Sequence, residues 1–119
     1  MATIQEIMDA AMAIHGALGV AIVDWKTGLT LGTKGNGLNL ELAASSNNNV
    51  LRANQKMMQQ LGLQDNVEDL LITLSSQYHL IRPLEANPNL YIYMVLRREA
   101  ANLGMARYEL QMIEKQLMV

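Results

Sequence analysis

The chain is 119 residues long, half apolar and 17% charged, with nine Lys and Arg against eleven Asp and Glu for a formal charge of −2. That is enough apolar material for a core, which excludes a disordered tail, and the balanced charge excludes a fold-wide basic field for nucleic acid. Cysteine is absent, which removes disulfides, thiolate chemistry and Cys-based metal sites together.

With no basic-apolar-small leader at the start, the expected location is the cytoplasm. At about 150 residues per domain, the length predicts one domain over residues 1–119. The longest uncharged stretch, residues 10–23, contains His15 and is too short and polar for membrane insertion.

Thr3-Ile4-Gln5-Glu6 reads as a capping box, and Ile4, Ile7, Met8, Ala11, Ile14 and His15 follow at helical spacing, so residues 4–15 are expected to be a helix stopped by Gly16. Residues 18–25 and 29–33 are rich in branched residues and flank Asp24-Trp25-Lys26-Thr27-Gly28, which predicts a hairpin. Residues 33–37 read as a turn. Residues 38–61 contain neither Gly nor Pro and predict a long helix ended by Gly62. Three strands follow at 69–75, 78–84 and 90–96. The last is apolar on both faces, as suits the middle of a sheet covered above and below. Ala100, Leu103, Ala106, Leu110, Ile113 and Leu117 form the stripe of a final helix. The expected fold class is α/β in the broad sense (α+β): a mostly antiparallel five-stranded sheet with helices on both faces, in the order α-β-β-α-β-β-β-α.

Catalytic motifs fail one by one. Gly32-Thr33-Lys34-Gly35-Asn36-Gly37 satisfies neither the phosphate-loop nor the dinucleotide pattern and reads as a turn. His15 and His79 lie on different elements without acidic neighbours at ligand spacing, so no metal is expected. Ser45-Ser46 has no base in view, and Glu68-Asp69 reads as a strand edge blunted by charge. Tyr78, Tyr91, Tyr93 and Trp25 are too dispersed for a base-stacking platform. No catalytic residue and no cofactor are expected, and the chain reads as a non-enzyme.

The long helix carries the sharper signal. Leu40, Leu42, Ala43, Ala44, Val50, Leu51, Ala53, Met57, Met58 and Leu61 spread over roughly 200°, twice what a helix lying on one surface needs. Leu40, Ala44, Asn47, Leu51, Asn54, Met58 and Leu61 step alternately by four and three, a coiled-coil spacing with two asparagines in it. Two readings are open: a core helix whose asparagines face a polar niche, or a helix with one edge on the sheet and the other on a second copy. The second predicts a dimer contact through Leu40, Ala43, Ala44, Asn47, Val50, Leu51, Asn54, Met58 and Leu61, with Leu70 and Ile72 on the neighbouring strand edge. Glu41, Asn48, Arg52, Gln55, Lys56 and Gln59 form the polar ridge expected to meet a partner protein. Arg52 is the residue on it suited to act as an arginine finger.

Three segments carry a family resemblance. They are Gly16-Ala17-Leu18-Gly19-Val20-Ala21-Ile22-Val23-Asp24, then Asp69-Leu70-Leu71-Ile72-Thr73 with Leu80-Ile81-Arg82-Pro83-Leu84, and Ala101-Asn102-Leu103-Gly104-Met105-Ala106-Arg107. In this order the chain resembles the roadblock/dynein light chain family, in particular its stand-alone bacterial, MglB-like members. The run Asn47-Asn48-Asn49 departs from that pattern. The resemblance implies one helix on one sheet face and two on the other, and a homodimer or a heterodimer with a related chain. It also implies either regulation of a small Ras-like GTPase, including GTPase activation, or a scaffold for other proteins. It supplies no catalytic position.

Overall fold

The computed structural model describes residues 2–36 and 39–117, in which the chain makes three helices and one five-stranded sheet. The elements are α1 (Ile4–Met12), β1 (Ala17–Asp24), β2 (Leu29–Gly35), α2 (Leu40–Gln60), β3 (Leu70–Thr73), β4 (Gln77–Pro83), β5 (Leu90–Arg97) and α3 (Leu103–Glu114). This is the expected order. The strands lie β2-β1-β5-β4-β3, every neighbouring pair antiparallel. β5, the strand apolar on both faces, is in the middle.

Local chemistry sets the ends. The Thr3 hydroxyl accepts from the Glu6 N–H at 3.2 Å, and the Glu6 carboxylate accepts from the Thr3 N–H at 3.1 Å, closing the capping box. α1 stops at Met12, short of the expected residue 15. Ala13 and Ile14 bond three residues back, to Ala10 and Ala11, and the tightened turn leads to Gly16 at φ +89°. Asn39 and Asn102 cap α2 and α3 by accepting from Leu42 and Met105 at 3.0 and 3.1 Å. α3 therefore starts at Leu103, leaving Ala100 outside it, and Leu117 instead bridges to Ala2.

β2 continues through the residues expected to turn. Gly35, at φ +123°, pairs with Gly19, and a Cβ there would lie 2.4 Å from the Leu18 carbonyl oxygen. Gly37 and Leu38, assigned to that turn and to the start of the long helix, lie outside the described residues. β3 is shorter than the expected 69–75, and no described helix is long and apolar enough to cross a membrane.

The sheet divides the interior in two. Val20, Ile22, Leu80, Ile92, Met94 and Leu96 pack with Ile7, Met8 and Ala11 of α1 and Ala106 and Leu110 of α3. Ala21, Val23, Ile81, Tyr91, Tyr93 and Val95 pack with Leu40, Ala44 and Leu51 of α2. Alternate residues of β1 and β5 feed each layer, as the two-residue period of a strand requires.

Candidate interaction surface

The broad apolar arc of α2 splits into two stripes. Leu40, Ala44, Asn47 and Leu51 lie against the chain's own sheet, with Leu40 6% and Leu51 4% exposed. A side chain with no exposed surface in one chain has none to give to a second. The four-three spacing of these four residues is therefore the core stripe, which corrects their expected place between copies. Ala43, Asn54 and Met58 are half-buried at its border. The outward stripe is Leu42, Val50, Ala53, Met57 and Leu61, with Leu42 and Leu61 63% and 64% exposed.

Fixed contacts show which way α2 is turned. Arg52 Nη2 donates to the Trp25 carbonyl at 3.2 Å, and the Trp25 indole N–H donates to the Pro88 carbonyl at 2.7 Å. Asn48 lies beside Gly28 of the β1–β2 turn. That flank of the helix thus faces β1 and β2. Val50, Ala53, Met57 and Leu61, on the other flank, lean toward β4 and β3. There Leu70 is half-buried, and Ile72 and Leu74 are exposed, beside the unpaired outer edge of β3. The exposed flank of α2 and the exposed side chains of β3 lie on the same face of the sheet, which keeps Val50, Leu61, Leu70 and Ile72 as contact candidates and adds Leu42, Met57 and Leu74.

Asn48 is the second correction. Assigned to the exposed ridge, it is buried, with its Oδ1 2.9 Å from the Tyr91 hydroxyl, which also lies 2.6 Å from the Ala44 carbonyl. The hydroxyl has one proton, and turning the Asn48 amide over would let Nδ2 donate to it, satisfying both contacts. Burial pushes the Tyr91 hydroxyl well above its ordinary pKa. A tyrosine in a doubly covered strand needs a polar partner for its tip, and that was the available signal for a buried asparagine. Glu41, Arg52, Gln55, Lys56 and Gln59 are exposed, as the ridge requires.

Next to this, His79 Nε2 lies 2.8 Å from Gln77 Oε1 and its Nδ1 lies 2.9 Å from the Tyr93 hydroxyl. The amide oxygen only accepts, so the neutral ring carries its proton on Nε2 and accepts the tyrosine proton at Nδ1. Burial lowers the His79 pKa. Asn47 Nδ2 and Asn54 Oδ1 are buried without a hydrogen-bond partner.

An ionic chain ties the edge strand to the other face. Glu114 receives Arg82 at 3.0 and 3.2 Å, Arg82 approaches Asp69 at 3.5 Å, and Arg107 grips Asp69 with two bonds of 3.0 Å. Asp69, just before β3, is thereby fixed to α3.

No family model matches the chain, and no curated protein matches it. Solved structures do. A roadblock/LC7 domain from Streptomyces avermitilis aligns with TM-score 0.80 at 15% identity, covering 96% of this chain and 93% of that one. MglB of Myxococcus xanthus gives 0.74 at 12%, covering 92% and 84%. The gliding protein MglB of Thermus thermophilus gives 0.71 at 17%, covering 94% and 88%. The chain has the roadblock fold, as the sequence resemblance implied.

Proposed function

We propose that the chain is a roadblock-type regulator that pairs with a second copy of itself, or with a related chain, and binds a small Ras-like GTPase. The observation that supports it is the exposed apolar flank of α2 on the same sheet face as exposed Ile72 and Leu74 at the β3 edge. A two-fold partner would cover these side chains and extend the sheet across that edge. Pairing would also repeat the ridge (Glu41, Arg52, Gln55, Lys56, Gln59) on the outer flank of each α2, the flank that Arg52 turns toward β1 and β2. The likeness to two MglB structures and to a solved MglC agrees with a regulator of this kind.

The doubled ridge acts by pressing on mobile switch loops of the GTPase, ordering them without entering the nucleotide site. Arg52 is held by the Trp25 carbonyl, so its role is contact rather than catalysis. Calorimetry against a small Ras-like GTPase, loaded with GDP or a non-hydrolysable GTP analogue, tests the reading. Tighter binding of the GTP form is expected, and Arg52→Ala should weaken binding while leaving stimulated hydrolysis detectable. Equal or absent binding in both nucleotide states ends the GTPase reading and leaves a dimeric scaffold for other proteins.

A further inference from the structure

We propose that the cleft beside the α2 ridge receives an arginine side chain of the partner protein; this rests on the reading of that ridge as a partner-binding surface. The cleft, about 550 Å³ in volume, opens where β4 ends, between the C-terminal half of α2, residues 65–68 and the end of α3. Gln55 belongs to both the ridge and the cleft wall. Trp25, Met58, Val67, Leu84 and Pro88 give the cleft an apolar lining, and the 2.7 Å bond from the Trp25 indole to the Pro88 carbonyl ties two of them together. Five charged residues line it: Asp65, Glu68, Glu85 and Glu114 against Arg82, a formal −3 where the whole chain carries −2.

These charges are not equivalent. Glu114 receives Arg82 at 3.0 and 3.2 Å, and Asp69 approaches the same guanidinium at 3.5 Å. The Arg82 charge is thereby answered within the chain and does not oppose a second cation. Asp65, Glu68 and Glu85 are exposed and make no ion pair among the described residues. Glu68 still acts on Arg82 from beyond ion-pair distance, which leaves Asp65 and Glu85 as the carboxylates free for an incoming cation. An apolar lining with unpaired carboxylates at its mouth suits a side chain with an apolar stem and a cationic head. Arginine fits better than lysine. Its guanidinium is the more weakly hydrated cation, packs on an indole, and has five N–H donors with which to meet separate carboxylates.

Trp25 is the chain's single tryptophan, so its fluorescence reports what enters the cleft. Titrating the full chain with a short peptide of one arginine flanked by leucines should shift the Trp25 emission. The same peptide with citrulline, which keeps the shape and loses the charge, should bind roughly tenfold more weakly. The double variant Asp65→Asn/Glu85→Gln should weaken the arginine peptide by a similar factor and weaken a Ras-like GTPase with it. Both positions are exposed, so its thermal melt should stay in place. Equal binding of the two peptides, or an unchanged affinity in the double variant, overturns the arginine site. A lower sedimentation mass for the peptide-free double variant assigns the cleft to a second copy and overturns it too. A chain that takes the arginine peptide but no GTPase keeps the site and removes the GTPase reading. GTPase binding that survives undiminished in the double variant removes the site and keeps the GTPase.

Discussion

Under α1 and α3, the sheet shows no exposed apolar residue in its middle strands: Val20, Ile22, Leu80, Ile92 and Met94 are fully buried, and the charges at the edge of this layer, Arg82 and Glu114, are paired. Under α2 the layer contains Tyr91, Tyr93, Asn47, Asn48 and His79, and it frays into exposed Ile72 and Leu74 at β3. The difference is one of width. Five strands about 4.8 Å apart span roughly 20 Å, and a helix with its side chains covers about 10 Å. Two helices cover a face; one helix covers half. The uncovered half is where apolar side chains such as Ile72 and Leu74 meet water, so it is the half available to another chain.

If the comparison is right, truncations on the two faces should differ in kind. Leu110→Ala, in the closed layer, should cost about 3 kcal/mol by leaving a cavity that α3 cannot fill. Urea melts should show that loss at every protein concentration. Leu61→Ala, on the open face, should leave the melt of the isolated chain within about 0.5 kcal/mol and lower only the dimer mass. Glu114→Gln comes next in size. It removes the buried carboxylate that receives Arg82, leaving that cation with only Asp69 at 3.5 Å, and should cost about 2 kcal/mol. An unchanged melt for Glu114→Gln would mean that water replaces the carboxylate and that the ionic chain does not fix Asp69.

The order of elements, the capping box and the central place of β5 were legible because each rests on local spacing. The turn of α2 about its axis was not. Leu40, Ala44, Asn47 and Leu51 suit a coiled-coil contact as well as a sheet, and only the Tyr91 hydroxyl, tens of residues away, makes an interior position acceptable to an asparagine. By polarity alone Asn48 points outward. The pairing of Arg82 with Glu114 is equally invisible, since β4 and the end of α3 lie 32 residues apart in the chain and meet only once α3 is packed on the sheet. Of the candidate surface, the edge residues Leu70 and Ile72 were readable as a strand boundary. Leu42, Met57 and Leu74 required the three-dimensional orientation of the helix.

Asn47→Leu sharpens the comparison from the opposite direction. The substitution is close in volume and removes a buried Nδ2 that approaches the Tyr93 hydroxyl without reaching hydrogen-bond geometry, so it should stabilise the chain by no more than about 1 kcal/mol, the lower end of the cost of an unsatisfied buried donor. The same change at Asn48 should destabilise, because it strips the Tyr91 hydroxyl of a partner. Thermal melts of the two variants should move in opposite directions. Two downward shifts would assign Asn47 to a hydrogen-bonded core network.

The smallest effect expected is a pH dependence from His79. Its pKa in the folded chain is lowered by burial from an ordinary value of 6.5. The unfolded chain therefore binds the second ring proton at a pH where the folded chain still resists it. Below about pH 6.5 unfolding takes up a proton, and stability falls as the pH drops toward the folded value; above pH 7 the contribution is constant. Geometry reinforces the sign. A proton on Nδ1 would face the Tyr93 hydroxyl, which now donates to that atom, so the hydroxyl would have to turn away to accept. His79→Gln should flatten the slope of melting temperature against pH between about 7 and 5. Because His79 lies on the half of the sheet that α2 leaves uncovered, a second copy would bury it further and steepen the slope. A self-association-deficient variant such as Ile72→Asp should therefore show a shallower slope than the wild type. Equal slopes in the two would place His79 outside the contact between copies.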